Sequence, residues 1–129
     1  MATLEDATAL ASALPEVEET TRYGHRSWAV RRKVFAWERP FSKADLKRFG
    51  DETPPSGPIL AITTADLHEK EAIIAAGPGV FFTIPHFDNY AAVLLRLDAI
   101  TKPALREAIV DGWLACAPDS LAATYRDRS

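Results

Sequence analysis

The segment Gly79-Val-Phe-Phe-Thr-Ile-Pro-His-Phe-Asp-Asn-Tyr-Ala-Ala-Val-Leu-Leu-Arg-Leu-Asp98 holds two runs of alternating apolar residues on either side of a polar loop. Apolar residues that recur at every second position predict strands with one buried face. The alternating residues are Val80, Phe82 and Ile84 in the first run and Val93, Leu95 and Leu97 in the second. We therefore expect two strands around a loop, Pro85 to Tyr90, in which a scaffold could display functional groups.

Outward from this segment, short strands alternate with amphipathic helices. Four helices are predicted to begin at capping residues, which are Thr3, Ser42, Asp66 and Thr101. The predicted helices cover residues 4–14, 43–50, 66–76, 102–116 and 120–126, and the further strands cover 18–23, 27–30, 34–38 and 58–63. This order predicts one domain over residues 1–129, of the α+β class. We expect two layers, an antiparallel sheet of about six strands with helices packed on one face.

Aromatic residues are concentrated in the predicted hairpin around Arg31-Arg32-Lys33. Strand alternation predicts that Trp28 and Val30 share one face, and that Phe35 and Trp37 share a face of their own strand. The sheet face without helices would then be partly bare, with aromatic side chains forming a concave platform.

Several of these pieces resemble the MmcQ/YjbR family of small bacterial proteins. The similar segments are Leu14-Pro15, Tyr23-Gly24 with Trp28, Val34–Ala36, Ser42–Leu46, Phe81–Asp88 running into Ala92–Leu97, and the last long helix with Trp113 and Pro118. The resemblance implies a frataxin/CyaY-like α+β fold and a likeness to the "double wing" DNA-binding domain of a phage transcription factor. The chain departs from the family pattern at Asn89, where Gly is common, at Ala91, where Pro often follows, and at Phe87, which replaces a frequent Tyr.

The bulk composition excludes some classes of protein. No apolar run reaches the roughly 18 residues of a membrane span, so we expect no membrane partner. The start of the chain is acidic, and Cys116 is the only cysteine, which together predict a cytoplasmic protein. No Walker or dinucleotide motif occurs, and the spacing of the three histidines matches no zinc signature, so we expect no metal or cofactor.

The charge is distributed unevenly. Residues 22–48 hold nine Lys or Arg and two acids, a net charge of +7, whereas the remainder has a net charge of −10. A basic hairpin can contact phosphates, which favours DNA as a possible partner. The candidate nucleic-acid-binding residues are Arg22, Arg26, Arg31, Arg32, Lys33 and Arg39. Another protein with an acidic surface could use the same patch, and these side chains could also point in several directions and form none.

The loop from Pro85 to Tyr90 gives the alternative interpretation. Here the protein would be a protein-interaction or small-ligand-binding domain, with His86, Asp88, Tyr90 and Trp28 as candidate ligand-contacting residues. His86 and Asp88 could equally fix the loop by hydrogen bonds to its backbone. No set of nucleophile, base and orienting residue is visible, so we expect a binding module and not an enzyme.

Overall fold

The computed structural model describes residues 2–22, 24–55 and 57–128. The helices within them begin where the sequence predicts: Thr3 and Ser42 form capping boxes with Asp6 and Asp45. The side chains of Asp66 and Thr101 likewise accept hydrogen bonds from backbone N–H groups three residues on. The helices are α1 (Leu4–Ser12), α2 (Lys43–Phe49), α3 (Leu67–Ala76), α4 (Lys102–Cys116) and α5 (Asp119–Arg128).

The strands form one antiparallel sheet in the order β1-β2-β3-β4-β6-β5. Their bounds are β1 (Val17–Arg22), β2 (His25–Val30), β3 (Lys33–Glu38), β4 (Ile59–Thr63), β5 (Phe81–Phe82) and β6 (Ala92–Arg96). The first predicted strand ends at Tyr23, which lies outside the described residues. The strand before the loop is shorter than predicted, and the prediction that Val80, Phe82 and Ile84 share a face is wrong, because Val80 packs in one hydrophobic cluster and Phe82 and Ile84 pack in the other. The predicted loop begins with a 3-10 turn, Pro85–Phe87.

The two faces of the sheet are covered differently, which confirms the predicted two-layer α+β domain. Helices α1 and α4 bury their apolar sides against one face, here called the helix face. Val93, Leu95 and Leu97 share that face, as predicted. The opposite face, here called the open face, carries a smaller cluster that includes Trp37 and Leu94, and residues of α2 and the 3-10 turn pack against it.

A β-bulge in β3 distributes the hairpin aromatics between these faces. Trp28 pairs with Ala36 and Ala29 pairs with Val34, so Phe35 is an extra residue without a partner on β2. Two neighbouring residues of a bulge oppose one residue of the next strand, which interrupts the alternation of faces. Phe35 and Ala36 therefore both lie on the helix face, and Trp37 lies on the open face. The prediction that Phe35 and Trp37 share a face is wrong for this reason, whereas Trp28 and Val30 do share the helix face.

The turn of this hairpin consists of Arg31 and Arg32, with φ values of 49° and 71°. Positive φ at both central residues is the geometry that joins two twisted antiparallel strands in a two-residue turn. Lys33, which we had expected in the turn, is the first residue of β3.

Gly112 allows α4 to lie directly on the sheet. A Cβ atom at this position would lie 2.6 Å from Ile62 Cγ2 and 3.1 Å from the Phe35 carbonyl oxygen. The second of these atoms is backbone at the bulge, so it cannot move aside as a side chain could.

Within residues 2–22, 24–55 and 57–128, none of the helices combines the length and the apolar composition that a membrane-spanning helix needs.

We predict that Gly112→Ala destabilises the protein by about 1–2 kcal/mol, because the contact with the Phe35 carbonyl places the cost in the upper part of the overpacking range and helix propensity returns part of it. Overpacking typically costs about 1–3 kcal/mol, and the better helix propensity of alanine returns only about 1 kcal/mol. Urea denaturation would measure the change, with Arg106→Ala on the exposed side of α4 as the control. Equal or greater stability of Gly112→Ala would contradict the close contact between α4 and the sheet.

Candidate functional site

A pocket of about 710 Å³ opens on the open face, where the loop after β5 meets the ends of β1, β2 and β3. This size is typical of sites for small molecules. We call it the open-face pocket. It is lined by Arg22, His25, Trp37, Glu38, Arg39, Pro40, Phe41, Ser42, His86, Phe87 and Tyr90.

Three aromatic side chains form one wall of the pocket. The ring of Trp37 lies 6.3 Å from that of Phe87 and 6.4 Å from that of Tyr90, measured between centroids. Phe87 and Tyr90 meet edge to face at 5.4 Å. Trp37 and Phe87 are almost fully buried, whereas Tyr90 is 44% exposed. The pocket therefore has a fixed aromatic floor and one aromatic side chain that solvent or a ligand can contact.

Arg39 is held over this floor by a buried carboxylate. Its Nη2 lies 2.9 Å from Oδ2 of Asp45, and its Cζ lies 5.5 Å from the centroid of Phe87. Burial opposes ionisation of Asp45, but hydrogen bonds from Ser42 and Arg39 outweigh it and hold the pKa of this carboxyl below its usual value. The cap of α2 and the position of the guanidinium therefore depend on the same carboxylate. The sequence indicated Asp45 as a capping residue but gave no sign of its pairing with Arg39.

A second guanidinium, that of Arg22, also lines the pocket. Arg22 is the antiparallel partner of His25 at the ends of β1 and β2, and its Cζ lies 6.0 Å from the Trp37 centroid. The Nδ1 atom of His25 is 3.8 Å from Oε1 of Glu38. Sequence reasoning did not select His25 or Glu38, since only the pairing of β1, β2 and β3 brings them to one end of the sheet.

Lys70 supports the loop from behind. This α3 residue is only 6% exposed, and its Nζ donates hydrogen bonds to the carbonyl oxygens of Phe87 at 2.6 Å and Tyr90 at 2.9 Å. Burial lowers the pKa of the ammonium group, and the charge of Asp88 partly offsets this. Lysine is rarely buried without such partners. A signal existed in the sequence, because Lys70 lies three and four residues before Ile73 and Ile74 and therefore on their side of the helix.

The candidate residues of the loop do not all belong to the pocket. His86 and Tyr90 line the pocket, but Asp88 does not. Within the described part of the chain, neither His86 nor Asp88 makes a side-chain hydrogen bond or an ion pair, so they neither form a dyad nor fix the loop. Asn89 has a φ of 61°, a left-handed conformation that Gly and Asn adopt readily, which accounts for Asn where the family commonly has Gly.

Trp28 does not belong to this site. Its side chain is fully buried in the cluster on the helix face, opposite to the pocket. The alternation of β2 places Ser27 on the open face instead, paired with Trp37. The expectation that Trp28 contacts a ligand beside the loop is therefore corrected.

The six cations proposed for nucleic acid do not share one surface. Arg22 and Arg39 lie at the pocket, whereas Arg31, Arg32 and Lys33 lie at the other end of the strands, about 20 Å away at 3.3 Å per residue. Arg26 lies on the helix-face side, where it contacts Thr8 at 2.9 Å and Glu19 at 3.3 Å.

Ion pairs occupy part of the hairpin turn. Arg31 makes a bidentate pair with Glu16, at 2.6 and 2.8 Å. Of the residues that the structure describes, no acid lies within 4.0 Å of Arg32 or Lys33. This end of the hairpin therefore offers two cations that make no ion pair with the described residues, Arg32 in the turn and Lys33 at the start of β3, and not the whole predicted set.

Among all the residues that the structure describes, no three His, Cys, Asp or Glu side chains are arranged to hold a metal ion.

We predict that Lys70→Met loosens the loop without unfolding the domain. The Phe87 and Tyr90 carbonyls each keep a backbone N–H donor, so global stability should fall by only about 1 kcal/mol. Hydrogen exchange of the Asp88 and Tyr90 amides should become about tenfold faster. Lys47→Met, at an exposed lysine of α2, is the control. Unchanged exchange at both amides would show that Lys70 does not hold the loop.

Comparisons with known proteins place the chain in a family. Residues 12–115 match the family model described as YjbR. Two relatives, Uncharacterized protein Mb2600 of Mycobacterium bovis and Uncharacterized protein Rv2570 of Mycobacterium tuberculosis, are each 44% identical over 128 residues. The alignments cover 97% of this chain and 96% of each relative.

A solved structure shows the same fold. The crystal structure of Deinococcus radiodurans protein DR2400, with the family-model domain DUF419, superposes with a TM-score of 0.64 at 17% sequence identity. The superposition covers 88% of this chain and 78% of that one. The match to the family model, the mycobacterial relatives and this fold agree with the resemblance seen in the sequence, and the chain belongs to the YjbR family.

Proposed function

We propose that this protein is a small binding domain whose ligand is a small molecule held in the open-face pocket. The observation that carries this proposal is the convergence of an aromatic wall and two guanidinium groups in one concavity of about 710 Å³. Mostly apolar clefts with a few convergent polar groups are the usual form of a small-molecule site. The pocket is a concavity at one end of the sheet, a shape that suits a small ligand better than the face of another protein.

Binding, and not catalysis, is the activity that this lining supports. The hydroxyl of Ser42 accepts the capping hydrogen bond of α2, and the neighbouring carboxylate of Asp45 is engaged by Arg39, so the two are not arranged as a nucleophile and its base. The thiol of Cys116 lies on the helix face, away from the pocket, and burial raises its pKa. His25 Nδ1 and Glu38 Oε1 are 3.8 Å apart and do not form a hydrogen bond.

Nucleic-acid binding through the hairpin is the second candidate. Its support is the exposed end of the hairpin, where Arg32 of the turn and Lys33 of β3 make no ion pair with the residues that the structure describes. Two such cations would bind DNA weakly, and the affinity would depend only slightly on salt concentration, because the salt dependence increases with the number of phosphate contacts. The pairing of Arg31 with Glu16 and the distance to Arg22 and Arg39 make this the weaker proposal.

A cytoplasmic location is also proposed. Cys116 is the chain's single cysteine and is buried, so the fold has no internal disulfide. A thiol of this kind is typical of proteins in reducing compartments.

The test of the pocket is a screen of neutral, anionic and cationic aromatic fragments by ligand-observed NMR. We expect hits whose affinity falls about tenfold in Tyr90→Ala, since loss of one stacking ring costs about 1–3 kcal/mol. Leu67→Ala removes an apolar side chain of similar exposure on α3, outside the pocket, and should change nothing.

Two outcomes would contradict the proposal. One is the absence of any hit at millimolar fragment concentration, and the other is a set of hits that Tyr90→Ala leaves unchanged. A fluorescence anisotropy titration with duplex DNA at low salt tests the second candidate. Tight binding that is lost in the Arg31→Ala, Arg32→Ala, Lys33→Ala triple variant would favour the hairpin over the pocket.

A further inference from the structure

We infer that the ligand of the open-face pocket is a planar aromatic molecule that carries an anionic group, either a carboxylate or a phosphate. This inference rests on the proposed function of the pocket and adds the chemical class of its ligand. It follows from the contact of the aromatic wall with two cationic side chains, Arg22 over Trp37 and Arg39 over Phe87.

The aromatic wall favours a flat ring over an aliphatic body. Tyr90 is the exposed ring, and behind it Trp37 and Phe87 form a rigid floor that packs within 6.4 Å of it. A flat ligand ring can stack against Tyr90 or meet it edge to face. Such aromatic pairs contribute a favourable free energy in addition to that of the apolar area that they bury. The loop cannot easily withdraw, because Lys70 holds the carbonyl oxygens of Phe87 and Tyr90.

The charged groups favour an anion over a cation. Among the described lining residues, the charged side chains are the two guanidinium groups of Arg22 and Arg39 and the carboxylate of Glu38. An aromatic wall alone could also accept an ammonium group. Two guanidinium groups within 6.0 Å of the rings repel such a ligand and attract a carboxylate or phosphate, whose oxygens match the donors of arginine.

Arg39 is oriented before any ligand arrives. The buried carboxylate of Asp45 engages its Nη2, and the carbonyl oxygen of Pro40 accepts a hydrogen bond from its Nη1. The guanidinium is planar and has five N–H groups, so donors remain after these contacts. Arg48 lies 3.9 Å from the other oxygen of Asp45, so two cations share this carboxylate and the cluster keeps a net positive charge.

The test uses probes with one ring system and different head groups, measured by calorimetric titration of the intact protein. Four probes share the naphthyl ring system: 2-naphthoate, 2-naphthyl phosphate, neutral 2-naphthamide and cationic 2-naphthylmethylammonium. A fifth probe, the aliphatic anion cyclohexanecarboxylate, tests whether the ring must be aromatic. We expect at least one naphthyl anion to bind about tenfold more tightly than 2-naphthamide, as charge-assisted hydrogen bonds are roughly twice as strong as neutral ones. The preference of the protein for phosphate or carboxylate then identifies the head group.

Arg22→Gln is the variant that links the preference to the pocket. Arg22 is exposed at the end of β1, so its replacement should leave the fold intact. We expect the ratio of naphthyl anion to 2-naphthamide affinity to fall from about tenfold to about twofold. Arg32→Gln, at the far end of the hairpin, should keep the full ratio.

Equal affinity for the anions and 2-naphthamide would overturn the anionic assignment and leave the pocket as a site for neutral aromatic molecules. Tighter binding of 2-naphthylmethylammonium would overturn it in favour of a cation. Equally tight binding of cyclohexanecarboxylate would overturn the aromatic part. Failure of every probe to bind would overturn this inference, whereas the proposed function would fall only if the fragment screen also gave no hit.

Discussion

The β-bulge at Phe35 is the constraint on which the rest of the structure depends. A regular two-residue hairpin would pair Trp28 with Phe35 and would turn Trp37 toward the helices. The extra residue lets Phe35 and Ala36 both enter the core on the helix face, where α4 reaches the Phe35 carbonyl at Gly112. The same shift places Trp37 on the open face, where it becomes the floor of the pocket. The bulge thus places Phe35 in the core on the helix face and Trp37 in the pocket on the open face.

The walls of the pocket are held in place by two charges buried behind them. Asp45 fixes Arg39 and begins α2, and Lys70 fixes the carbonyl groups of Phe87 and Tyr90. Buried charges of this kind contribute little net stability, because their desolvation offsets the interactions that they make. Their effect is on geometry, since each limits a pocket element to one position. A site that is organised before its ligand arrives loses less conformational entropy on binding.

The sequence predicted local structure better than it predicted the site. Capping residues such as Thr3 and Ser42 act within three residues, so their pattern is visible in the chain and the helix starts were found. A bulge has no such signature, because it depends on the partner strand, and this is why Phe35 and Trp37 were assigned to one face. Residues 22–48 do carry an excess of basic side chains. Because side chains alternate between faces along a strand and the hairpin is long, these cations lie at both ends of the hairpin and on both faces of the sheet. His86 and Tyr90 were found from the loop, whereas His25 and Glu38 reach the site only through the pairing of the strands.

The central claim is that the open face, and not the basic turn or the helix side, is where this protein binds its ligand. The most direct measurement is two-dimensional NMR of the isotope-labelled protein during a titration with 2-naphthoate. The account predicts that the largest shifts occur at the indole N–H of Trp37 and the backbone amides of His25, Phe87 and Tyr90. The largest shifts at Arg31, Arg32 and Lys33, or in the groove between α3 and α4 near Ile73 and Asp111, would contradict it.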